Sequence, residues 1–213
     1  LTWDGQIFKV NAATNDNPFQ LDTGSSNGAH MRFFRNGTQL HFFGCGAGIS
    51  LGDSEDLSMR SYDNILFSTG NSSTERVRID SSGHMGLGVT PNANWPTNND
   101  FKALQIGTGA CVFGRGSGDE DRGGIAVNWY SDGSNNKYIG NGNAARIYLA
   151  DGNIYFSTAG ANSSGANASM TLTDRMIISS SGKVGIKFQH NYTMNPQSTD
   201  LVIGDGGGGR GIT

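Results

Sequence analysis

The sequence predicts an all-β protein built from tandem, hairpin-rich repeats, and three observations carry that expectation. Blocks of sequence return in the same order about 97 residues further on, the signature of a repeat architecture. Strand and turn signals fill the chain, while no apolar period of 3.6 residues is sustained long enough for a helix. The composition is that of extended structure with much surface. Glycine supplies 33 residues, about twice the usual share, and charged residues are 15%, well below the common level of about 25%. A net charge of only −3 separates this pattern from that of a disordered chain. Asn, Ser and Thr stand where charges usually do. Apolar residues fall in short β-branched or aromatic runs, so each unit has little private core and is expected to complete it with copies of itself.

The repeat is read from five blocks. Residues 28–37 (GAHMRFFRNG) return as 124–133 (GIAVNWYSDG), and Gly44 and Gly46 as Gly140 and Gly142. Residues 64–69 (NILFST) return as 153–158 (NIYFST), after a deletion before Asn153. Residues 74–83 (TERVRIDSSG) return as 173–182 (TDRMIISSSG), after an insertion at 159–168. Residues 103–107 (ALQIG) return as 200–204 (DLVIG). On this register residues 1–7 end a preceding unit and 8–102 form unit one. Residues 103–200 form unit two, and 201–213 begin a third. The opening Leu1-Thr2-Trp3-Asp4-Gly5 reads as a portion of something longer.

Each unit carries a hairpin. Arg76 to Asp80 alternates apolar and charged residues, the period-2 pattern of a half-buried strand. Ser81-Ser82-Gly83 is a turn with glycine available for positive φ. Residues 84–89 alternate again, placing Met85, Leu87 and Val89 on one face. The second copy is Met176 to Ile178, a turn at Ser180-Ser181-Gly182, and Lys183 to Phe188. Glycines at alternate strand positions mark close approach of another backbone, which symmetry mates could supply. Asn36-Gly37, Asp132-Gly133 and Asp151-Gly152 read as hairpin turns.

Several function classes are disfavoured. A mildly acidic chain lacks the basic stripe of a nucleic-acid binder, and no apolar run approaches the roughly 18 residues of a membrane-spanning helix. Cys45 and Cys111 are too few for a disulfide framework and read as free thiols.

Residues 64–69 together with 74–91 (TERVRIDSSGHMGLGVTP) resemble a repeat of bacteriophage tail fibres and tailspike shafts. Its usual form is E-R-M-R-I-D-S-S-G-N-V-G-I-G-T-T-x-P followed by an L-x-I/V segment. The second copy keeps Arg175 and Ser179 to Gly182, but Lys187-Phe188-Gln189 replaces the Gly-Thr-Thr. The resemblance implies an elongated, virion-attached homotrimer that binds host surface glycans or proteins and joins other tail proteins through segments elsewhere. The leading expectation is a non-catalytic segment of such a fibre, with no cofactor. Two alternatives differ in class: a tailspike-type polysaccharide depolymerase, and a bacterial surface adhesin or other virion decoration protein.

Residue patterns with chemical overtones read mostly as turns. Gly24 to Gly28 fits a nucleophile elbow, yet a strand rather than a helix is expected after it. Gly52-Asp53-Ser54 begins an esterase-like motif with no matching Asp-x-x-His. Gly204 to Gly209 fits a dinucleotide loop without the helix and acid that must follow. Asp119-Glu120-Asp121 lacks the spacing of a calcium loop. His30, His41, His84 and His190 lack metal-ligand spacing, although a threefold axis would gather three copies of any one of them. For glycan contact the candidates are Trp95, Trp129 and Tyr130, whose ring faces would stack on sugar C–H groups if exposed. Trp129 and Tyr130 also align with Phe33 and Phe34, which favours a packing role. The divergent parts, the 159–168 insertion and the deletion before Asn153, are where unit-specific binding is expected.

Overall fold

The computed structural model describes residues 21, 23–48, 52–97, 101–116 and 118–186, with the backbone of strands at 2–3, 8–9 and 201–203. Its described residues are almost entirely β, with no α-helix among them. The chain divides into two compact units, residues 1–63 and 64–213.

The smaller unit pairs β1 (Thr2–Trp3) antiparallel with β2 (Phe8–Lys9). It also holds a three-stranded antiparallel sheet of β3 (His30–Arg35), β4 (Thr38–Cys45) and β5 (Leu57–Ser61). Asn36 and Gly37 join β3 to β4 with φ of 49° and 77°, as a tight hairpin with two left-handed residues requires. Few side chains here are enclosed: Phe33 and Phe34 are 49% and 59% exposed. Phe42 lies beneath Arg60, whose guanidinium carbon is 4.6 Å from the ring centre.

The larger unit is one eleven-stranded sheet in which spatial order follows chain order. It begins with β6 (Ile65–Thr69), β7 (Thr74–Ile79), β8 (Met85–Leu87), β9 (Phe101–Ile106), β10 (Ala110–Arg115) and β11 (Gly123–Val127). The chain then leaves the sheet for a small hairpin, β12 (Tyr130–Ser131) and β13 (Asn136–Lys137). It returns through β14 (Gly142–Ala150), β15 (Asn153–Asn162), β16 (Thr173–Ile178), β17 (Val184–Ile186) and β18 (Leu201–Ile203). Neighbours are antiparallel except at β8–β9 and β17–β18, which pair in parallel.

The repeat survives as hydrogen-bond register. Ile65 pairs with Ile79 and Phe67 with Val77, as Ile154 pairs with Ile178 and Phe156 with Met176. Both pairs carry a bulge at the same place, after Phe67 and after Phe156. In both, the bulged arginine donates to a threonine across the pair: Arg76 Nε to Thr69 Oγ1 at 3.0 Å, and Arg175 Nε to Thr158 Oγ1 at 2.8 Å. Met85 meets Leu104 in parallel as Val184 meets Leu201. The predicted hairpins stand, and their turn glycines Gly83 and Gly182 have φ of 79° and 81°.

The compact units divide at 63/64, and the repeat boundary read at 102/103 falls inside β9. Two expectations need revision. Val89 does not continue β8, because Gly88 turns the chain with φ of 69°. Gly86 is indeed closely approached, but by its own chain: a Cβ there would run into the Val89 carbonyl oxygen.

The two copies also diverge at one residue. β3 runs unbroken past Arg32, whereas its counterpart Asn128 adopts φ of 53° and ends β11. Asparagine tolerates that region because its short amide bonds to nearby backbone. Here Asn128 Oδ1 accepts from Gly140 N–H at 2.8 Å, and its amide nitrogen donates to the Asn143 carbonyl at 3.1 Å. That clasp closes residues 128–141 into the excursion that leaves the sheet.

Candidate functional site

Alternation along the strands of the larger unit divides its side chains between two faces. One face is covered by the connections of its own chain. Phe101, Ala103 and Gln105 from β9, with Cys111 and Phe113 from β10, are buried there beneath residues 88–97, the β12–β13 hairpin and residues 163–172. Phe113 stacks between Phe101, at 5.7 Å between ring centres, and Tyr148, at 6.1 Å.

Trp95, Trp129 and Tyr130 come together on this face, as a cluster and not as a platform. Trp95 stacks on Phe101 at 5.3 Å and meets Trp129 and Tyr130 edge-on at 5.9 and 5.8 Å. Their exposures are 2%, 2% and 1%, so none offers a ring face to a sugar. The expectation of glycan stacking on these three rings is therefore corrected. Their polar atoms are spent inside: Trp129 Nε1 donates to Asn136 Oδ1 at 2.8 Å, and the Tyr130 hydroxyl to Asn167 Oδ1 at 2.8 Å. Asn167 comes from the 159–168 insertion, which lengthens β15 and then folds over the cluster. His84 is likewise structural. It accepts from Ala103 N–H at Nδ1 (3.2 Å) and donates from Nε2 to the Pro96 carbonyl (2.9 Å), and burial lowers its pKa.

Among the described residues of the larger unit, the opposite face has no such cover. Ile65, Ile79, Met85, Leu104, Val112, Ile125, Ile147, Phe156, Met176 and Ile186 are successive cross-strand partners over ten strands. The register continues to Ile203 in β18. A second row runs beside it through Phe67, Val77, Leu87, Ile106, Ala110, Val127 and Ala145. Val112, Ile125 and Val127 are 46%, 51% and 49% exposed. A third row of Leu149, Ile154, Ile178 and Val184 flanks the first on its other side. At a strand spacing of about 4.8 Å with rows roughly 7 Å apart, the apolar face measures on the order of 700 Å². The largest apolar patch on a typical monomer is about 300–600 Å². The two arginine–threonine clasps lie at the end of the rows and give the face a polar margin.

The remaining motifs resolve as local structure. Residues 24–28 turn directly into β3, a strand. Asp53 Oδ1 accepts from the Glu55 and Asp56 amides at 2.9 and 3.2 Å, closing its own turn. Asp119 is held by Arg122 at 2.8 Å and Arg115 at 3.1 Å. Cys45 and Cys111 are free, and burial pushes the Cys111 thiol up to about 12. Among the described residues no cluster of His, Cys, Asp or Glu has the makings of a metal site. His190 and the Gly204 to Gly209 run lie outside the described residues. What sequence reading missed was the bare face itself, although strict alternation in each strand was its signal. Comparison with known protein families and with curated protein sequences finds no match.

Proposed function

We propose that this chain is a non-catalytic segment of a phage tail fibre, a homotrimeric β-shaft that takes part in attachment to the host cell surface. The observation that carries the reading is the apolar row that crosses the sheet at one register. A face of this size is close to the roughly 800 Å² that each partner buries in a stable interface. Its side chains are mostly β-branched or long aliphatics, with Phe67 and Phe156 among them and a polar margin, the make-up of an interface core and rim. Three copies with these faces turned inward would enclose the rows and leave the covered faces outward. The number three and the setting in a virion come from the resemblance of residues 74–91 to fibre repeats.

In such an assembly the chain contributes rigid reach, and repeated weak contacts at high effective concentration yield firm attachment. Partners would be two further copies, other tail proteins, and a host glycan or protein. Light scattering on the eluting chain is the test. The expected mass is three times 22.5 kDa, and a well-folded species at 22.5 kDa would overturn the proposal.

A further inference from the structure

On the covered face, away from the apolar rows, a cavity of about 260 Å³ opens between the sheet and the β12–β13 hairpin. Phe113 and Tyr148 form its floor, Trp129 one wall, and Ser134 and Asn136 part of its rim. Two guanidiniums line it. That of Arg115 is paired with Asp119. Arg146 differs: its Nε is buried without a hydrogen-bond partner, and the structure gives it no ion pair among the described residues. Its guanidinium carbon lies 4.4 Å from the Tyr148 ring centre and 5.2 Å from that of Trp129. Burial accordingly pulls its pKa down from the usual arginine range.

A half-buried guanidinium with stacked faces and an unused in-plane donor is a poor structural element. Asp174 acts on this charge only through space and forms no ion pair with it, accepting instead from the Ser157 hydroxyl at 2.7 Å, while the five donors of arginine match a carboxylate through paired hydrogen bonds. The feature also belongs to one copy alone. Counting back from the 153–158 block, Arg146 and Tyr148 stand where the first copy has Leu57 and Met59.

We infer that this cavity binds the carboxylate-bearing ring of an acidic saccharide. The Arg146 guanidinium would take the carboxylate, and Ser134 and Asn136 would meet hydroxyls. The volume suits one sugar residue, since pockets for larger ligands run from about 300 Å³ upward. No acidic side chain lines the cavity to repel the anion. The inference deepens the attachment reading and rests on it, by naming the receptor chemistry that one repeat would recognise.

The test is calorimetric or saturation-transfer titration of the full chain with methyl β-glucuronide and methyl β-glucoside, which differ only in the carboxylate. The mass of each sample is measured in parallel. The glucuronide is expected to bind at least about tenfold tighter, as a charge-assisted pair would provide. Arg146→Gln is expected to abolish that preference, and Ser134→Trp, at an exposed rim position, to weaken both ligands while the fold is kept. Equal affinity for the two glycosides, no binding of either, or a preference that persists in Arg146→Gln would overturn the inference. So would full displacement of the glucuronide by equimolar acetate. A trimeric mass without glucuronide binding removes this site and leaves the assembly reading intact. A monomeric mass with the preference removes the assembly and keeps the site.

Discussion

The two faces of the eleven-stranded sheet are made by the same strands, alternate residues going to each. Their chemistry differs in kind. The covered face mixes aromatic rings, small residues and polar groups, among them Phe113, Ala126, Gln105 and His84, each fitted to a particular connection. The bare face is more uniform, mostly Ile, Val, Leu and Met at one register, with Phe67 and Phe156 its only aromatic members in the two longer rows. An irregular cover demands an irregular surface, because each connection has its own shape and its own polar atoms to satisfy. A repeated row suits a partner that is itself a repeated row. The contrast teaches that the chain's own connections satisfy one face and, among the described residues of the larger unit, leave the other without cover.

The contrast can be broken in steps. The largest effect is expected from Ile125→Asp with Ile147→Asp, adjacent residues at the centre of the bare row. Their charges would have to be buried unpaired in an assembled core, so the mass by light scattering should fall to that of one chain. The same change at exposed positions of a true monomer would leave the mass unaltered.

On the covered face, Phe113→Ala removes a ring stacked on two others and should cost about 3–5 kcal/mol in urea unfolding. Gly86→Ala should cost about 1–3 kcal/mol, since the added methyl meets the Val89 carbonyl and the linker must shift.

A pH effect follows from His84, whose native pKa is lowered chiefly by burial. Stability from the neutral ring is present above about pH 6.5, the unfolded value. It is lost as pH falls through the lowered native value, because protonation ends the acceptor role toward Ala103 N–H. Wild type should therefore lose urea resistance below that range, and His84→Gln should lose less.

The smallest effect is local. With its thiol pushed up to about 12, Cys111 should resist alkylation at pH 8 in the folded chain, while the less buried Cys45 reacts.

Much of the fold was legible because it is local. Alternation marked Arg76 to Asp80, and the Asn-Gly and Asp-Gly pairs marked turns whose positive φ the structure confirms at Asn36 and Asp151. The repeat was legible too, down to the bulge it carries. The destination of the aromatic residues was not. Trp95, Trp129 and Tyr130 lie far apart in sequence, and whether a ring is a platform or a core depends on what covers it. Asn167, inserted late in the second copy, covers Tyr130, and no pattern near Tyr130 announces it. Arg146 was passed over for the same reason. A single arginine among apolar strand residues has no local signature of being unpaired.

The amino-acid sequence by itself determined that the chain is all-β, that its hairpins repeat, and which residues of each strand share a face. Those properties follow from φ preferences and from a side-chain period of two, both settled within a few residues. Only the tertiary structure decided that eleven strands join one sheet, with the compact unit beginning at Asn64 rather than at a repeat boundary. Only it decided which face the connections cover. That choice belongs to loops such as 88–97 and 128–141, whose paths depend on contacts distant in sequence.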